Sequence, residues 1–180
     1  IDTALRAGKP VVTMNSEFHV TTGSYFADKG LLTEAEGDQP GSIAALREEA
    51  VMMGFKPLVY GNMKGFLNHH PTPEEMAYWA GKQGISVEQT TSFTDGTKAA
   101  IEMAAVANGT GLDCPDDGLA FPPTGLHDLA KVFRPAAAGG RLPRSGLVDI
   151  AASQEPDGRE VFNNIRYGVF VTFKAPNEYS

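Results

Sequence analysis

The run Leu31-Leu32-Thr33-Glu34-Ala35-Glu36-Gly37-Asp38-Gln39-Pro40-Gly41 decides the fold, because it passes from a short apolar strand through a polar loop into a helix start. Pro40 suits a first helical turn, where its missing N–H is no loss, and Ile43, Leu46, Ala50, Val51 and Met53 recur at helical spacing up to Gly54. Phe55 to Tyr60 then reads as the next strand. Upstream, Gly8-Lys9-Pro10 leads into Val11-Val12-Thr13-Met14-Asn15, a β-branched run that predicts a buried strand, and Thr21 to Lys29 predicts a short helix. Alternating strand, loop and helix is the pattern of an α/β layer with crossover connections. Ligands in such layers sit beyond the carboxyl ends of the strands.

Downstream, Pro71-Thr72-Pro73-Glu74-Glu75 opens a helix: Thr72 can cap it, Pro73 fits its first turn, and both acids favour the positive end of its dipole. It is expected to reach Gln83 with Met76, Trp79 and Ala80 facing inward. Val87 to Phe93 predicts a strand or extended segment, followed by a polar turn at Thr94-Asp95-Gly96-Thr97. From Lys98 to Asn108 the apolar residues cover nearly the whole circumference of a helix, which marks it as buried. Asp113 to Pro123 and Pro135 to Pro143 are Pro/Gly-rich loops around a short helix at Leu126 to Val132, and Leu147–Ala151 and Val169–Phe173 read as late strands.

With 42% hydrophobic and 21% charged residues, 180 residues suffice to bury a core. No apolar run approaches the roughly 20 residues a membrane helix needs, and Ile1 to Gly8 lack the apolar stretch of a signal peptide, so no membrane contact is expected and Ile1 reads as a cut edge. The single Cys114 cannot form an internal disulfide, which fits the reducing cytoplasm. A net charge of −7 makes broad contact with nucleic acid unfavourable, while one small phosphorylated substrate can still be held by local donors.

Polar side chains recur at expected strand exits. The clusters are Asn15-Ser16-Glu17, Glu36-Gly37-Asp38-Gln39, Gly61-Asn62-Met63-Lys64-Gly65 and Ser92-Phe93-Thr94-Asp95-Gly96-Thr97-Lys98. Asn and Asp at such places also serve as turn formers and caps. Lys64, between glycines, lets backbone and ammonium approach a ligand together. Lys98 and Glu102, one helical turn apart, form either an exposed pair or a pair facing a polar cavity; the buried character of their helix favours the cavity. No G-x-G-x-x-G turn follows a strand, so the pyrophosphate site of a dinucleotide is not expected in this chain.

The run from Gly8 to Asn15 resembles the late Rossmann strand of homoserine dehydrogenases, with Ser16-Glu17 where that pattern continues with lysine. Four further runs resemble the homoserine-dehydrogenase-like family that includes the deoxyxylulose-phosphate-reductoisomerase-like (DRL) enzymes. They are Glu36–Gly41, Gly61–Gly65, Thr91–Lys98 and Glu102–Asn108, and the likeness spans about Gly8 to Asp149.

The resemblance implies a mixed α/β fold in which residues 1–40 are the C-terminal edge of an NAD(P)-binding Rossmann domain and residues 41–180 a catalytic domain. Most of the cofactor-binding half would then lie outside this chain. The implied reaction is NADPH-dependent conversion of 1-deoxy-D-xylulose 5-phosphate to 2-C-methyl-D-erythritol 4-phosphate. The alternative is another NAD(P)-dependent oxidoreductase acting on a hydroxy acid or sugar acid. Lys64 or Lys98 would stabilise an oxyanion or move a proton, and Asp38, Asp95 and Glu17 would do acid/base work or hold a divalent cation such as Mg or Mn. Asn15, Gln39, Asn62, Ser92 and Thr94 would orient hydroxyls, Asn15 and Pro40 would touch the cofactor, and Arg141 and Arg144 would clamp phosphate. A homo-oligomer is expected.

Overall fold

The computed structural model describes residues 1–65 and 67–177; residues 66 and 178–180 of the expected catalytic domain lie outside the described residues. The fold is mixed α+β with two separate small sheets. Helix α1 (Asp2–Arg6) leads to strand β1 (Val11–Thr13) and then to α2 (Ser16–Phe18), a π-helical turn (His19–Gly23) and α3 (Ser24–Phe26) in unbroken succession. Strand β2 (Leu32–Glu34) pairs with β1 in parallel, Val11 opposite Leu32 and Thr13 opposite Glu34.

Helix α4 (Gln39–Met52) follows, with Pro40 in its first turn as expected. At its start Gly41 packs so closely on the β2 exit that a β-carbon there would lie 2.2 Å from the Ala35 carbonyl oxygen. Only glycine lets the Gly37–Gln39 loop close this tightly. Strand β3 (Lys56–Lys64), α5 (Pro73–Gln83), α6 (Val87–Thr94) and α7 (Thr97–Thr110) come next, then a Pro/Gly-rich stretch holding the short α8 (Leu129–Val132), and finally β4 (Leu147–Ala152) and β5 (Val169–Lys174).

The second sheet has the order β4-β3-β5, with β3 parallel to β4 and antiparallel to β5. Both faces are covered. Tyr60, Val148 and Ile150 pack against Ile43 of α4 and Ala99, Met103 and Val106 of α7. On the opposite face, Val59, Met63, Leu147, Ala151 and Phe170 pack against Leu129, Phe133 and Leu142. Each of the larger aliphatic and phenylalanine side chains among them contributes roughly 1.5–3 kcal/mol by leaving water. Burial on both faces explains why β4 is apolar almost throughout rather than alternating. Its one acid, Asp149, accepts from the backbone N–H groups of Ala120 and Ile150, and burial raises its carboxyl above the ordinary value.

Helix α5 forms as its sequence predicts: Thr72 and Glu75 make a reciprocal capping box and Gly84 closes the helix in the left-handed conformation. Trp79, expected inward, is 39% exposed. Val87–Phe93 is helical rather than extended. Ser86 caps it, and Thr90, Thr91 and Thr94 turn their hydroxyls back to the carbonyls of Ser86, Val87 and Thr90, which reconciles a threonine-rich run with a helix. Strand β1 is half-open instead of buried, and the helix expected from Thr21 starts already at Ser16, capped by Asn15. Strand β3 runs four residues past Tyr60, so Asn62 and Lys64 are strand residues and not loop residues. Among the described residues no helix is long and apolar enough to cross a membrane.

Candidate active site

Alternation along β3 puts Tyr60, Asn62 and Lys64 on the face that α7 covers. Lys64, the last strand residue, reaches Glu102 of α7, its Nζ 2.5 Å from Oε2. The Glu102 side chain is 3% exposed and that of Lys64 18%, so this ion pair is largely removed from water. One turn earlier on α7, Lys98 lies 4.0 Å from the other Glu102 oxygen and 3.1 Å from Glu17 Oε2. Glu102 therefore sits between two ammonium groups.

Polar neighbours hold this pair in place. Asn62, fully buried, donates through Nδ2 to Glu102 Oε2 at 3.1 Å and to Gln39 Oε1 at 2.9 Å. Two acceptors fix the orientation of its amide, because a flip would turn Oδ1 toward a carboxylate. Gln39 Oε1 also accepts from Lys64 at close range, while Gln39 Nε2 donates to the Tyr167 carbonyl at 3.0 Å. These bonds offset part of the cost of burying the charges, while Asn62 Oδ1 is buried with no hydrogen-bond partner among the described residues.

The β1 and β2 exits supply the other side. Buried Ser16 donates to Asp38 Oδ2 at 3.1 Å. His19 Nε2 and Glu34 Oε1 approach to 3.0 Å without the alignment of a hydrogen bond. Burial raises the Glu34 carboxyl, His19 and Lys98 oppose that rise, and Asp38 and Glu102 reinforce it. For Glu17 burial again acts upward, but hydrogen bonds from its own backbone N–H and from Lys98 outweigh it and the carboxyl falls below its ordinary value.

Around this network lies a cavity of about 780 Å3, lined by Asp38, Gln39, Lys64, Lys98 and Glu102 with Thr94, Trp79, Phe93, Gln154, Arg166 and Tyr167. Such a volume with apolar walls and a few converging polar groups is the form of a small-molecule site. Of the residues expected from the sequence, Asp38, Gln39, Lys64, Thr94 and Lys98 line it, Asn62 lies beneath Lys64, and Glu17 meets it through Lys98. Others are engaged elsewhere. Asn15 accepts from Phe18 N–H, Ser92 donates to the Gln89 carbonyl, and Asp95 accepts from Thr97 N–H. Pro40 is buried in the first turn of α4.

The expected phosphate clamp is not assembled at this cavity. Arg144 pairs with Asp113 at 2.6 Å, and Arg141 lines a separate cavity of about 520 Å3 with His127 and Lys131, since Leu142 anchors the Pro135–Pro143 loop on the sheet face opposite α7. Nor do Glu17, Asp38 and Asp95 converge: each has a different partner. Among the described residues no group of three His, Cys, Asp or Glu side chains is arranged to hold a metal ion. Arg166, Tyr167, Trp79 and Gln154 are among the pocket residues that sequence reading missed. For Arg166 and Tyr167 the signal is weak, since only Asn163-Asn164 and Gly168, turn formers around Ile165-Arg166-Tyr167, mark the place.

A largely buried Lys–Glu–Lys arrangement at the end of a central strand, opening into a cavity with apolar walls, is a form that small-molecule sites take. Residues 37–180 match the family model described as the catalytic domain of oxidoreductase DRL, so the chain belongs to that family and carries an oxidoreductase catalytic domain. No curated protein matches the chain in a sequence comparison.

Proposed function

We propose that the chain is the catalytic portion of an NADPH-dependent reductoisomerase that converts 1-deoxy-D-xylulose 5-phosphate to 2-C-methyl-D-erythritol 4-phosphate. Residues 41–180 form the body of its catalytic domain, with the Gly37–Gln39 loop that the family match also covers leading into it, and β1 and β2 belong to the edge of the nucleotide-binding domain. The observation that carries the reading is the largely buried Lys64–Glu102–Lys98 network, which lines one cavity together with Asp38. The reaction needs a charged donor at a ketone oxygen and a base at the neighbouring hydroxyl, and these groups supply both.

NADPH, when bound, supplies the hydride. Gly37 and Asp38, which line the cavity, would be the residues of this chain beside the cofactor's reacting end. Asp38 takes the hydroxyl proton as the carbon–carbon bond migrates and an aldehyde forms. Lys64 gives its proton to the former ketone oxygen. Asp38 then returns its proton to the oxygen of the reduced aldehyde, and Lys64 recovers one from solvent, so that each turnover consumes one proton. Glu102 and Asn62 hold the Lys64 ammonium in position throughout. No step is routed through a metal ion, since among the described residues no three His, Cys, Asp or Glu side chains are arranged to hold one.

The test is NADPH oxidation by the protein joined to its cofactor-binding half, with the product identified by NMR. Formation of the branched phosphate from deoxyxylulose phosphate is expected. Absence of that turnover, with reduction of a different hydroxy or sugar acid instead, would remove the substrate assignment.

A further inference from the structure

Two of the cations on the cavity wall are already matched, Lys64 by Glu102 and Lys98 by Glu17. Arg166 differs. Among the described residues it forms no salt bridge, and its side-chain hydrogen bond runs from Nη2 to the Tyr167 hydroxyl at 3.0 Å. In a chain of net charge −7, an exposed arginine that lines the cavity and, among the described residues, pairs with no carboxylate is a place for an anion.

Its position is prepared by several neighbours. The guanidinium lies flat over Gly65, where a β-carbon would come 3.0 Å from Nη2, 3.1 Å from Nε and 3.2 Å from Cζ. The glycine next to Lys64 thus makes the room that the guanidinium fills. On its other side the guanidinium carbon stands 5.0 Å from the centre of the Tyr167 ring, a cation–π contact. Tyr167 itself has φ +67, a left-handed conformation uncommon for any residue but glycine. It is held there by its N–H on the Met63 carbonyl at 3.0 Å and by Gln39 Nε2 on its own carbonyl, while Arg166 N–H donates to Asn164 Oδ1. A backbone strained and fixed from three sides is the mark of a preorganised site.

We infer that Arg166, stacked between Gly65 and Tyr167, is the oxyanion clamp of this pocket and holds the phosphate or carboxylate tail of the substrate while Lys64 meets its carbonyl end. The inference rests on the cavity being the substrate site. It replaces Arg141 and Arg144, which lie elsewhere, in the role of anion anchor. A planar fork gives two parallel hydrogen bonds to either oxyanion, so the chemistry is shared and the source is decided by experiment.

Trp79 is the single tryptophan and lines the same cavity, so its fluorescence reports occupancy without turnover. In the intact protein, inorganic phosphate and acetate are titrated in separate arms, with 31P line broadening as a second reporter for phosphate. Saturable binding is expected for the wild type, and Arg166→Met weakens it at least ~10-fold, the loss of one charge-assisted pair. Arg166→Lys, which keeps the charge and stem, recovers part of the affinity, and it serves alone if the methionine variant does not fold. Tighter binding of acetate than phosphate assigns a carboxylate tail; the reverse assigns a phosphate. Absence of binding to the wild type, or equal binding by the Arg166 variants, would overturn the clamp. Turnover of deoxyxylulose phosphate on the same samples separates the two claims. A clamp without that turnover leaves Arg166 standing and removes the substrate, whereas turnover with an unchanged KM in Arg166→Met removes the clamp alone.

Discussion

Strand β4 has all six residues buried, whereas β1 leaves Val12 62% exposed and Leu31, at the entry to β2, is 64% exposed. Both sheets contain parallel pairs of β-branched and aliphatic residues, yet only the three-stranded one is covered on both faces. The difference shows where positional accuracy is available. Asn62, Lys64 and Glu102 hang from the covered sheet and the helix packed on it, so their geometry is held by a close-packed interior. Glu17 and Asp38 come from the exits of the open sheet, and Glu17 touches the network through a lysine while remaining half-exposed.

The largest effect is expected at the covered sheet. Glu102→Leu leaves the Lys64 ammonium without its partner in a largely buried place, which costs about 3 kcal/mol in chemical denaturation and at least ~100-fold in kcat. A loss below about 1 kcal/mol would mean that the pair behaves as if in solvent and would break the contrast. Next comes packing. Met103→Ala removes a fully buried side chain and is expected to cost roughly 2–5 kcal/mol, while Val12→Ala on the open sheet stays within about 0.5 kcal/mol. Comparable losses at both positions, read from denaturation midpoints, would erase the distinction.

Smaller effects sharpen it. Glu17→Gln removes a half-exposed partner of Lys98 and should change stability by less than about 1 kcal/mol, visible in a double-mutant cycle with Lys98→Met. Glu34 gives a pH signature. Burial raises its native carboxyl above the unfolded value, so the native state binds the proton more tightly. Its contribution is therefore fully present below the unfolded value and declines as pH rises through the raised native one. Glu34→Gln should remove that part of the decline in melting temperature. An unchanged pH profile in the variant would show that Glu34 does not carry it.

The covered region was also the more legible. Pro40, the Thr72–Glu75 capping box and the all-round apolar Lys98–Asn108 run point to their helices, and Leu147–Ala151 and Val169–Phe173 to their strands, because local propensity and tertiary packing agree there. Disagreement arose where one could override the other. Val87–Phe93 carries strand-forming residues but its hydroxyls bond back to the helix, and the Val11–Val12 run has the composition of a buried strand without a second layer over it. In the site, Lys64, Lys98, Asp38 and Gln39 stood beside glycines and turn residues and could be read locally. Arg166 could not, since it joins Lys64 only through the pairing of β3 with β5 and the tight turn before it.

The most direct test of the Lys64–Glu102 pair as the reacting centre is steady-state turnover of the proposed NADPH-dependent reaction by Lys64→Met in protein that includes the proposed cofactor-binding domain. With secondary structure and NADPH affinity intact, kcat is expected to fall at least ~100-fold, the lower range for a positioned acid or oxyanion donor. A folded Lys64→Met protein that turns over within about 2-fold of the wild type, far short of the ~100-fold such a donor supplies, would contradict it.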